Sequence, residues 1–148
     1  MATRFVERME SEFEAVLTVE EWYDGPRTGA ANYRGRPHFY RSLYLDTPEW
    51  DPDEDRFELT PVSPEALAWS LEDYRLWERW NEARAAGQLP DDGDDDPDDL
   101  RVLPGDRDRH CELRALVEGY LARERPRAFV VRGEFELGAR RVRWRAVP

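Results

Sequence analysis

The apolar positions of this chain change period several times, and each change marks an element. Phe5, Met9 and Phe13 recur every four residues, which predicts a short helix over residues 2–13. Residues 14–23 alternate instead. Leu17, Val19 and Tyr23 point one way with Thr18 and Glu20 opposite, as in a half-buried strand. Asp24-Gly25-Pro26 breaks it, since a residue before proline avoids the helical region and glycine admits positive φ. Residues 30–33 and 37–45 read as a hairpin around Arg34-Gly35, with Pro37 at a strand start or an edge. In its second strand Phe39, Leu43 and Leu45 form the expected core face. His38, Tyr40, Ser42 and Tyr44 form an aromatic, hydroxyl-rich face expected to be partly wet. Phe57 and Leu59 mark one more short strand over residues 56–60.

Ser63 opens the best-marked helix. It is a good N-cap, Pro64 suits the first helical position, and Glu65 suits the positive end of the dipole. Val62 and Leu67 are spaced for a hydrophobic staple, and Gly87 is the expected stop after about Ala86. Its apolar residues fall on two sides, with Leu67, Leu71 and Tyr74 opposite Trp69, Leu76 and Trp80, so the helix is expected to cover two surfaces. A second helix is predicted from about Asp108. Leu113, Leu116, Val117, Tyr120 and Leu121 match the amphipathic template, and Pro126 ends it.

The C-terminal residues form a hairpin whose register can be derived. With Gly138-Ala139 as a two-residue turn, Glu136 faces Arg141, Phe135 faces Val142, Glu134 faces Arg143 and Gly133 faces Trp144. A shift by one residue would destroy every one of these matches. These elements predict an α+β fold in one domain over residues 1–148. A small, mainly antiparallel sheet, built from the N-terminal meander and the C-terminal hairpin, would pack with the two main helices.

Composition adds an uneven charge. The net charge is −11. Residues 46–55 hold six acids and residues 91–99 hold seven, with no base in either stretch. Without them the chain is close to neutral, so the acidity belongs to two loops. The region at about 88–106 reads as an exposed, mobile acidic loop. Every base is arginine and there are six tryptophans. Cys111 is the single cysteine, so no internal disulfide forms, and it is expected to be a core or half-buried free thiol. Two histidines and one cysteine do not make an ordinary zinc site, and no cofactor motif is present. Asp51, Asp53 and Asp55 have alternate-oxygen spacing. Yet Arg56 and Val62 stand where a calcium loop needs glycine and glutamate, so no metal is expected. The charged N-terminus has no signal-peptide core, and no apolar run reaches the length of a membrane span. The expectation is a cytoplasmic protein.

Candidate binding residues lie in two groups. Tyr23, Asp24, Arg27, Arg36, His38, Tyr40 and Tyr44 surround the turn-rich segment, where arginine can hold a carboxylate or phosphate and histidine can exchange a proton. The structural alternative is a well-built turn in which Asp24 bonds nearby backbone. Trp69, Trp77 and Trp80 of the long helix could anchor a partner, or lie between the sheet and the second helix. His110-Cys111 is not a catalytic pair, because helical neighbours point about 100° apart.

Tyr23-Asp24-Gly25-Pro26-Arg27 with Gly29, then Tyr33, Gly35 and Pro37-His38, and an acidic stretch before Thr60-Pro61, resembles an uncharacterised bacterial protein family. The resemblance covers about residues 17–80 and implies a small stand-alone bacterial protein. It carries over no activity and no catalytic residue.

With no catalytic set, the leading expectation is a non-catalytic protein-binding or regulatory module that meets another protein or itself. One alternative is a small-molecule-binding protein or enzyme with its pocket at residues 23–44. Another is a DNA mimic using the acidic loops. Direct nucleic-acid binding is disfavoured by the charge.

Overall fold

A computed structural model of the chain describes residues 12–22, 25–43, 55–89 and 100–147. The helix expected over residues 2–13 lies almost wholly outside them. So do Tyr23, Asp24, Tyr44, most of the first acidic stretch and all of residues 91–99.

Among the described residues six strands pair antiparallel in chain order: β1 (Glu14–Trp22), β2 (Pro26–Tyr33), β3 (Arg36–Ser42), β4 (Arg56–Pro61), β5 (Phe129–Phe135) and β6 (Arg141–Ala146). β6 then returns to β1, so the sheet is a closed barrel. This corrects the expectation of a small open sheet packed with two helices. The meander and the C-terminal hairpin do share one sheet, but it closes on itself and keeps the helices outside.

The reason for closure lies in the face expected to be partly wet. Tyr40 and Ser42 are almost fully buried, and Tyr40 packs inside the barrel with Phe57, Leu59, Val131, Val142 and Trp144. A small barrel is filled by its own side chains. Here the filling is aromatic, with Tyr40, Phe57, Phe135 and Trp144 in mutual edge and tilted contacts. Phe39, on the opposite face of β3, packs outward beneath the helices with Ala30, Ala66, Val117 and Tyr120. Both faces of β3 are therefore core.

The turns follow the sequence closely. Arg34 and Gly35 both take positive φ, as a two-residue hairpin turn requires. Their N–H groups donate to the Glu14 carboxylate at 3.0 and 2.7 Å. The C-terminal hairpin has the derived register, with Phe135 opposite Val142, Glu134 opposite Arg143 and Gly133 opposite Trp144. Its tip differs in detail. Ala139 N–H donates to the Glu136 carbonyl, which places Gly138 third in the turn with φ +91 rather than second.

Strict alternation fails in β1. Register irregularities fall between Val16 and Thr18, Val19 and Glu21, and Glu21 and Trp22. Such bulges bend a strand and exchange its faces. Thr18, expected on the polar face, is buried, and its hydroxyl accepts the Ala30 N–H at 2.9 Å.

Helix α1 (Pro64–Ala85) begins and ends where expected. Ser63 Oγ accepts the Ala66 N–H at 3.2 Å, and Gly87 takes φ +69 just past the end. Its most buried residues are Ala66, Ser70, Asp73 and Leu76, a single stripe in which only Leu76 is large and apolar. Leu67 and Trp69 flank that stripe and complete the outer core beneath α2. Helix α2 (Arg107–Glu124) packs along α1, burying Leu113, Val117 and Tyr120. Cys111 is exposed, contrary to expectation, because it sits on the face of α2 away from that stripe.

Candidate cleft between the first strand and the helix pair

The second half of β1, helix α1, helix α2 and residues 100–102 enclose a cleft of about 430 Å³. The bulges of β1 bring Glu20 to its floor. The Glu20 carboxylate accepts from Ser70 Oγ of α1 at 3.4 Å and from Arg114 of α2 at 3.2 Å. Burial is the main cause that raises its pKa, Arg114 opposes that rise, and nearby Asp73 adds to it.

Asp73 and His110 form the second polar group of the cleft. His110 Nδ1 donates to Asp73 Oδ1 at 2.5 Å, and both side chains are largely buried. A carboxylate oxygen accepts, so Nδ1 is the donor of this pair, and His110 is one of the residues lining the cleft. Aromatic residues supply the remaining walls. Tyr74 and Trp77 stack at 5.5 Å, and Trp22 is 62% exposed at the rim. Glu20 and Arg114 also line a second hollow of about 540 Å³ between the barrel wall and α2, so the pair stands where the two meet.

The sequence-derived candidates are dispersed. Arg27 is buried at one end of the barrel, where it donates to Ser42 Oγ at 3.3 Å and pairs with Asp55 at 3.6 Å. Burial raises the Asp55 pKa against the pull of Arg27. His38 lies four ladder positions away, about 13 Å along the strand. Its Nδ1 donates to the Arg36 carbonyl at 2.8 Å and its ring packs edge-on against Tyr33 and Phe129. Burial lowers its pKa. The Arg36 side chain is exposed at the hairpin turn. Tyr40 donates its hydroxyl to the Thr18 carbonyl at 2.9 Å, and burial pushes its pKa far above the ordinary range. Arg27 and His38 thus do not converge, and Tyr23, Asp24 and Tyr44 lie outside the described residues.

Of the tryptophans, Trp69 packs at the interface of the two helices. Trp80 is half-buried beneath Arg84. Trp77 alone of the three lines the cleft. Sequence reading missed Glu20, Asp73 and Arg114 altogether and weighed His110 only against Cys111. An aspartate in mid-helix carries no local mark of burial; its histidine is placed by helix packing.

Among the described residues no group of three or more His, Cys, Asp or Glu is arranged to hold a metal ion. No described helix is long and apolar enough to cross a membrane. No family model matches the chain, and neither does any curated protein or solved structure.

Proposed function

We propose that the protein is a peptide-binding module, non-catalytic, whose site is the cleft between β1 and the helix pair. One observation carries this reading: Trp22 stands 62% exposed at the rim of a cleft already walled by Tyr74 and Trp77. Exposed aromatic residues beside a concave, partly apolar surface are the usual anchors of protein recognition. The barrel interior is filled by its own rings, which leaves the outer cleft as the place for a partner. A displayed peptide library selected against the protein tests the reading. Enriched peptides should bind at least tenfold more weakly to Trp22→Ala and Trp77→Ala. Peptides that bind these variants as well as the parent would sink it.

A second reading has its own support. Glu20, with its raised pKa, shares the cleft with the Asp73–His110 pair, and perturbed titratable groups in a cleft are a feature of small-molecule and catalytic sites. A metabolite screen by thermal shift, repeated on Glu20→Gln, separates the two. A small molecule that stabilises the parent and not the variant favours this second reading.

A further inference from the structure

The ring of strands is closed by very little. β6 pairs with β1 only at Glu14 and Ala15, with one more bond from Val16 N–H to the Arg140 carbonyl. Beyond Val16, no described strand pairs with β1 on the side away from β2. Glu20 shows where this matters. Its side chain is only 23% exposed, yet the residue as a whole is exposed, so the accessible part is its main chain. Glu21 and Trp22 are exposed as well. This stretch of strand edge forms one wall of the cleft.

We propose that this edge accepts an extended, basic peptide segment as an added strand, a mode that rests on the peptide-binding reading above. Main-chain groups of residues 19–22, the part of β1 that lines the cleft, would bond the incoming strand, and alternate side chains would reach the aromatic walls. Three observations select this occupant. First, a free edge is normally protected by charge, and Glu21 does that; but a protected edge has no use for an exposed tryptophan, and Trp22 follows directly. Second, a second copy is a poor occupant. Antiparallel pairing of two β1 edges centred on the exposed stretch would bring Glu21 of both copies together, and like charges facing each other are destabilising. Third, the charge favours a basic segment. The chain carries −11, and the exposed end of the edge presents Glu21.

The test uses the full chain and a synthetic ten-residue peptide alternating lysine and valine, followed by amide NMR. The expected result is shift changes and slowed amide exchange at residues 19–22. Binding should weaken at least tenfold when alternate peptide nitrogens are methylated, and at least fivefold in Glu21→Lys. A peptide alternating glutamate and valine should not bind. Equal binding of the methylated peptide overturns strand addition while leaving the cleft reading intact. Shifts confined to residues outside β1 overturn it too. Concentration-dependent dimerisation through the same amides replaces the proposed occupant with a second copy. Library selection that yields no peptide for the cleft overturns both readings together.

Discussion

The Tyr120 hydroxyl accepts the Ser63 N–H at 3.0 Å and donates to the Pro61 carbonyl at 2.7 Å. One atom of α2 thus satisfies both main-chain groups at the corner where β4 hands over to α1. Tyr120→Phe leaves two polar groups in a partly buried place without this partner. The expected cost is about 1–3 kcal/mol, measured as a lower urea midpoint at unchanged m-value. A change within error would mean that water replaces the hydroxyl.

Gly133 lies under the indole of Trp144. A Cβ there would sit 2.5 Å from Trp144 Cζ3 and 2.9 Å from Phe57 Cδ2. The barrel is full at that level, so the rings have nowhere to go. Gly133→Ala should destabilise by about 1–3 kcal/mol through overpacking. Gly105→Ala, where a Cβ meets nothing, is the matched control and should be nearly neutral. Chemical denaturation of both variants checks the contrast.

Glu20 gives a pH dependence of unusual sign. Its pKa is raised in the folded state, so between the unfolded value and the folded one the native state holds more protons than the unfolded state. Its contribution to stability is therefore greatest at low pH and falls as pH rises through that window. Glu20→Gln should remove this fall. Melting temperatures from pH 4 to 8 should decline less toward neutrality in the variant than in the parent. Parallel curves would show that Glu20 titrates alike in both states.

Asp73 and His110 should be strongly coupled, because each is the other's hydrogen-bond partner in a largely buried place. Either single change, Asp73→Ala or His110→Ala, leaves the remaining group without that partner. A double-mutant cycle should give a coupling energy of about 0.5–3 kcal/mol, with the double variant less destabilised than the sum of the singles. Additive effects would mean that the two groups act independently.

What the sequence made legible was local. The N-cap at Ser63, the stop at Gly87, the turn at Arg34-Gly35 and the register of β5 on β6 each rest on residues a few positions apart. Closure of the barrel did not, since it needs Glu14 to meet Val142 near the other end of the chain. The His38, Tyr40 and Ser42 face reads as wet because hydroxyls and an imidazole count as polar. In the barrel Tyr40 finds the Thr18 carbonyl and His38 finds the Arg36 carbonyl. The stripe of α1 turned to the core contains Ser70 and Asp73, which hydrophobic periodicity scores as solvent-facing. The cleft was invisible for the same reason, since its polar residues come from β1, α1 and α2. Bulges in β1 then moved Glu20 to a place that no alternating pattern assigns.

The thin seam between β1 and β6 also has a consequence for assembly. Every other strand pair joins neighbours in sequence or, for β4 and β5, is bridged by the helix pair. The seam alone must be made across nearly the whole chain, against the largest loss of chain entropy and for only two residue pairs. It is the natural last step of folding and the natural first step of local opening. Native-state exchange should find it at the low-energy end of the molecule, while the aromatic interior at Phe57 and Leu59 stays protected to the limit of global unfolding.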